Sequence, residues 1–108
     1  MQAAAGWPIS AECHEFIWGE RTFRFSRREA EVVRRLWEAH QLDGNPDGLD
    51  ALRLLGREGE SRRRGKDRVR DVFKEPGNKR HPAFGTLIIE VGDRFDRRVK
   101  RYRLNLVA

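Results

Sequence analysis

Apolar residues along this chain recur first with a period of two and then with a period near 3.6. The changes of period divide the chain into elements. Phe16-Ile17-Trp18 and Arg21-Thr22-Phe23-Arg24-Phe25 are runs rich in aromatic and β-branched residues on either side of Gly19-Glu20, which predicts a β-hairpin. Alternation puts Phe23 and Phe25 on one face and Arg24 on the other. From Ser26 the period lengthens. Ala30, Val33, Leu36, Trp37 and His40 follow at helical spacing, predicting a helix from Arg27 to Gln41. Ser26-Arg27-Arg28-Glu29 opens it as a capping box, in which hydroxyl and carboxylate satisfy orphan backbone N–H groups reciprocally. Phe25 and Ala30 occupy the hydrophobic-staple positions around that box. The turn-rich stretch Asp43-Gly44-Asn45-Pro46-Asp47-Gly48 closes the element.

Leu49, Leu52 and Leu55 predict a short second helix over Leu49 to Leu55, with Gly56 placed for a left-handed C-cap. Arg57 to Gly65 reads as a turn. A third helix is expected from Gly65 to Glu75, with Val69, Val72 and Phe73 as its apolar stripe and Pro76-Gly77 as its stop. Phe84 to Val91 is rich in β-formers, Gly92 to Arg98 is a charged tip, and Val99 to Leu106 returns. In the return strand Tyr102, Leu104 and Leu106 alternate with Arg101, Arg103 and Asn105, the pattern of a one-sided hairpin with a polar outer face. Residues 1–12 hold Ala3, Ala4, Ala5, Gly6 and Pro8 and read as an extended or frayed arm, with Trp7 and Ile9 as its docking residues. The expected fold is α+β: a 1–12 arm, then one domain over 13–108 with an N-terminal β-hairpin, three helices and a C-terminal β-hairpin. Its expected core is Phe25, Val33, Leu36, Trp37, Leu52, Val69, Phe73 and Leu104.

Charge sharpens the picture. The chain has 108 residues, suited to one core. Charged residues make up 37% of it, well above the usual ~25%, so its surface is densely charged. The net +6 is unevenly spread. Residues 1–56 carry 7 Lys+Arg against 9 Asp+Glu, or −2, and residues 57–108 carry 16 against 8, or +8. Clustered cations suit a polyanion, because they release counterions from phosphate; solubility alone is the blander reading. The densest run is Ser61-Arg62-Arg63-Arg64-Gly65-Lys66, just ahead of the third helix, and the second is Asp93-Arg94-Phe95-Asp96-Arg97-Arg98.

The order of elements and several short strings resemble the winged-helix effector domains of OmpR-type response regulators. The strings are the helix entry Phe25-Ser26-Arg27-Arg28-Glu29, the third-helix run Asp67-Arg68-Val69-Arg70-Asp71-Val72-Phe73-Lys74, and the closing Arg101-Tyr102-Arg103-Leu104. The resemblance spans Phe16 to Leu106. The sequence departs from that family at Asn78-Lys79-Arg80-His81-Pro82, which lengthens the connection into the last hairpin, and at Arg101, where the family has Gly. The resemblance implies a winged helix-turn-helix whose third helix reads the major groove; phosphorelay control is not carried over. On that reading the DNA-binding residues are Arg62, Arg63, Arg64, Lys66, Arg68, Arg70 and Lys74 on or before the reading helix, and Arg94, Arg97 and Arg98 at the wing tip. Asp67 and Asp71 either accept from cytosine N4 or orient the neighbouring arginines.

The expected function is sequence-specific binding of double-stranded DNA, as a transcription regulator or the DNA-binding subunit of a larger system. A winged-helix protein-interaction module and an RNA-binding adaptor are the alternatives, and a homodimer or a larger assembly is left open. Cys13-His14, His40 and His81 lack zinc-site spacing, and no Gly-rich loop precedes a Lys-Ser/Thr pair. No enzymatic activity, metal or cofactor is therefore expected. A single cysteine excludes an intramolecular disulfide. Met1 to Ser10 lacks the basic and apolar regions of a signal peptide, and no apolar run approaches the ~20 residues of a membrane span. The protein reads as cytoplasmic.

Overall fold

A computed structural model of the protein describes residues 3–45, 48–55, 68–75, 79–92 and 100–106. In chain order the elements are β1 (Gly6–Pro8), β2 (Glu15–Trp18), β3 (Arg21–Arg24), α1 (Arg27–Asp43), β4 (Leu49–Asp50), α2 (Ala51–Leu55), α3 (Arg68–Val72), β5 (Lys74–Glu75), β6 (Lys79–Arg80), β7 (Ile88–Gly92) and β8 (Lys100–Leu104). The class is α+β, as expected. Among the described residues the strands form an antiparallel sheet β1-β2-β3, an antiparallel sheet β4-β8-β7 and the hairpin β5-β6.

The first hairpin turns at Gly19, whose φ of 59° suits a residue without Cβ. Phe16 and Phe23 pair directly across it and both face the core. Part of the expected arm is a strand, because β1 pairs with β2 in the register Gly6–Trp18, Trp7–Ile17 and Pro8–Phe16. Trp7 and Ile9 do not dock; they are 52% and 54% exposed. The capping box forms as expected. The Ser26 N–H donates to Glu29 Oε1 at 2.8 Å, and the Glu29 N–H donates to Ser26 Oγ at 3.4 Å. The helix runs two residues past Gln41 and closes at Gly44 (φ 79°), whose N–H donates to the His40 carbonyl at 2.8 Å.

Three elements differ from the sequence reading. Leu49 and Asp50 are strand, not helix: they pair with Tyr102 and Arg101 of β8. Gly48 makes this approach possible, since a Cβ there would lie 2.8 Å from Val91 Cγ2 and 3.0 Å from the Tyr102 carbonyl. The third helix ends at Val72, because Phe73 closes a turn (its N–H to the Arg70 carbonyl, 3.2 Å) and its own carbonyl accepts from the His81 N–H at 2.8 Å. Lys74 is consequently a strand residue, paired with Arg80. Gly85 to Leu87 is a turn, folded by bonds from the Thr86 N–H to the Ala83 carbonyl and from the Gly85 N–H to the Ile88 carbonyl, and Phe84 makes only an isolated bridge to Ile88. Gly56, the turn 57–65, the start of the third helix at 65–67, Pro76-Gly77 and the tip 93–99 lie outside the described residues.

One core joins these parts. Phe25, Val33, Leu36, Val69, Phe73 and Leu104 are buried in it as expected, and Trp37 packs on it while partly buried. The Leu52 side chain is outside the described set. Leu54, not singled out by the sequence, is wholly buried, and its carbonyl accepts from the Arg35 guanidinium, tying α2 to α1. Asn105 is not on a polar outer face but buried. Its carbonyl accepts from Trp18 Nε1 at 2.9 Å and its amide donates to the Thr86 carbonyl at 3.3 Å, which stitches the first sheet to the end of β8. Among the described residues no helix is long and apolar enough to cross a membrane.

Candidate nucleic-acid interface

The segment from α3 through β6 has two sides. Val69 and Phe73 are wholly buried, whereas Arg70 and Asp71 are exposed. The outward charges continue into the next hairpin with Lys74, Lys79 and Arg80, all exposed. Of the expected DNA-binding residues, Arg70 and Lys74 are therefore exposed. Arg68 opens α3, with its side chain outside the described set. Arg62, Arg63, Arg64, Lys66, Arg94, Arg97 and Arg98 lie outside the described residues.

Lys79 and Arg80 are the residues that the sequence reading left out. Period and propensity gave no reason to single them out, because a two-residue strand carries no periodicity of its own. The available signal was the run Asn78-Lys79-Arg80-His81-Pro82 itself, an insertion with two adjacent cations.

What holds this hairpin is an aromatic cluster beneath it. His81 is buried, stacked on Phe25 with ring centroids 4.8 Å apart and edge-on to Phe73 at 6.2 Å. Its ring joins two strands of backbone: Nδ1 accepts from the Ala83 N–H at 3.0 Å, so Nε2 carries the proton and donates to the Arg24 carbonyl at 2.6 Å. Phe73 stacks on Phe84 at 5.5 Å, and Phe84 meets Tyr102 of β8 at 5.7 Å. The Arg80 guanidinium lies over the Phe84 ring at 5.6 Å. The cationic hairpin, α3 and β8 thus share one packed base.

The base of the last hairpin is cationic too. Lys100 is exposed and Arg101 and Arg103 are half-exposed, while Tyr102 and Leu104 between them point inward. A separate depression of about 280 Å³ lies between the end of α1, β4 and α2, lined in part by Asp43, Asn45, Arg53 and Arg101; it shares no lining residue with α3, β5 or β6. Cys13 is buried in the turn between β1 and β2, and burial pushes its thiol pKa up, with Arg34 pulling it down and Glu38 adding to the rise. Among the described residues no three His, Cys, Asp or Glu side chains are grouped to hold a metal ion. Compared with known protein families, curated proteins and solved structures, the chain matches none.

Proposed function

We propose that the chain is a winged helix-turn-helix protein that binds double-stranded DNA with sequence preference, as a transcription regulator or as the DNA-binding subunit of a larger system. The observation that carries this reading is the two-sided segment just described: Val69, Phe73 and His81 buried, with Arg70, Lys74, Lys79 and Arg80 outward. A helix-turn-helix reader needs that division, since one helix enters the major groove while surrounding cations hold phosphate. In this reading α2 and α3 are the helix pair and β7–β8 is the wing. Pairing of β4 with β8 couples the wing to the start of α2, so helices and wing meet a duplex as one body. Arg62, Arg63, Arg64, Lys66 and Arg68 then lie at or before the reading helix, and Arg94, Arg97 and Arg98 in the wing.

The alternatives receive less support. A protein-binding winged helix would show apolar residues on the outside of its third helix, whereas Val69 is wholly buried and Val72 partly so. Single-stranded RNA readers present aromatic rings for stacking; here Phe73 stacks on Phe84 and Phe84 meets Tyr102 at a tilt, and among the described residues Trp7 is the one aromatic side chain more than half exposed.

The test is selection from a random duplex library by the wild type and by Arg64→Ala, Arg68→Ala and Arg97→Ala. A bidentate Arg–guanine contact contributes ~1–3 kcal/mol of discrimination, whereas a phosphate contact weakens all sequences alike. The wild type should enrich a defined motif, and at least one helix variant should change the preferred base at a position. Arg97→Ala should weaken binding and keep the motif. A motif rewritten by Arg97→Ala alone, or no enriched motif, refutes the assignment.

A further inference from the structure

We propose that the β5–β6 hairpin is a second grip on the duplex, in which Lys74 and Arg80 hold backbone phosphates beside the segment that reads the bases. This rests on the DNA-binding reading and adds an element to it. The register places Lys74 directly opposite Arg80. Their chain neighbours Phe73 and His81 are buried, so this pair occupies the solvent side of the ladder. Like charges directly opposite each other disfavour a hairpin. The one carboxylate residue of the ladder, Glu75, is in register with Lys79 instead. Among the described residues neither Lys74 nor Arg80 is ion-paired to a carboxylate. A two-stranded hairpin of two residues per strand is not stable alone. This one stands because Phe73, His81 and Phe84 root it in the core.

The hairpin therefore carries two cationic residues in register above a packed aromatic base, in an arrangement that an anion between them would relieve. Arg80 is already laid over Phe84, and a guanidinium held this way loses less freedom on binding than a free one. Arg70 on α3, close before Lys74 in the chain, is exposed as well. A duplex placed against α3 thus brings its sugar-phosphate backbone, rather than its base edges, to the hairpin.

The experiment is fluorescence anisotropy with a random-sequence DNA duplex between 50 and 200 mM salt. Each phosphate contact contributes about 0.9 to the log–log slope, so a fourfold rise in salt weakens binding ~3.5-fold per contact. Lys74→Gln combined with Arg80→Gln should make the loss of affinity over this range about 12-fold smaller than in the wild type. The library motif should be unchanged. The charge-matched control Arg27→Gln combined with Arg34→Gln, on the exposed face of α1, should keep the wild-type slope. Lys74→Glu provides a second readout. Opposite charges across the ladder should raise Tm by about 2 °C while binding weakens.

A double variant with the wild-type salt slope overturns the clamp alone, as does an equal drop in the control, which marks a net-charge effect. A changed motif in the double variant also overturns it, by making the hairpin a base reader. A Lys74→Glu protein that melts lower than wild type removes the like-charge argument. Wild-type protein that does not bind duplex DNA, or that binds duplex RNA more tightly, overturns the DNA reading and the clamp with it.

Discussion

Replacing His81 with Phe tests whether hydrogen bonding or ring packing at this position fixes the hairpin and α3 to the first sheet. Phenylalanine keeps a flat ring against Phe25, which lies 4.8 Å away and nearly parallel at 21°. It removes both ring nitrogens. Ala83 is wholly buried, so its N–H, now paired to Nδ1 at 3.0 Å, would be left unsatisfied at a cost of ~1–3 kcal/mol. The Arg24 carbonyl also loses its donor, but it sits in a partly buried bond that water can replace in part, for ~0.5–1.5 kcal/mol. The added apolar carbon offsets roughly 0.8 kcal/mol. The net expectation is a loss of about 0.7–3.7 kcal/mol, to be set against the ~5–15 kcal/mol typical of a domain. Urea unfolding followed by circular dichroism measures it: the midpoint should fall with an unchanged m-value. His14→Phe, at an exposed position, should stay within about 0.5 kcal/mol of wild type. If His81→Phe is as stable as wild type, packing alone holds this site and the hydrogen-bond account of the hairpin's anchorage is wrong.

Leu36 is wholly buried on α1, and Leu36→Ala should cost ~2–5 kcal/mol in the same assay; a loss below 1 kcal/mol would place it outside the core. Ser26→Ala removes one half of the capping box and should cost ~0.5–2 kcal/mol, whereas Ser26→Asp should be close to neutral. The buried Cys13 thiol holds its proton above the ordinary value of 9.0. The stability this gives is complete below pH 9 and lost as pH rises toward the folded-state value. Tm should therefore fall more steeply above pH 9 in wild type than in Cys13→Ser, and Ellman's reagent should react at pH 8 only once the protein is unfolded; fast labelling of the native protein contradicts the burial.

Elements defined by local chemistry were legible in the sequence. Ser26 and Glu29 announce the start of α1 through a contact three residues apart, and the alternation of Phe23, Arg24 and Phe25 sets the face of β3; neither needs information from elsewhere in the chain. Elements decided by distant partners were not. Leu49, Leu52 and Leu55 have helical spacing, yet Leu49 is drawn into a strand because Tyr102, far along the chain, offers an edge and Gly48 leaves room for it. Lys74 fits a continuing helix by periodicity, but Phe73 and His81 anchor a hairpin that ends it. Gly6 and Pro8 look like an arm until β2 supplies their pairing partners. Asn105 fits the polar phase of its strand, and burial wins because its side-chain amide donates to the Thr86 carbonyl. The same divide runs through the candidate site. The basic bias of residues 57–108 is visible in composition, whereas the pairing of Lys74 with Arg80 exists only once the hairpin has folded.

Duplex-DNA binding is the claim on which the functional account turns, and its salt dependence is the most direct measurement of it. Labelled random-sequence duplex DNA, single-stranded DNA and duplex RNA are titrated by anisotropy across a series of salt concentrations, with circular dichroism confirming the fold throughout. If about five phosphates are neutralised, log K for duplex DNA should fall with log salt at a slope near −4 to −5, and duplex DNA should be the tightest of the three ligands. A slope near zero with the protein folded, or tighter binding to single-stranded DNA or duplex RNA, contradicts the account.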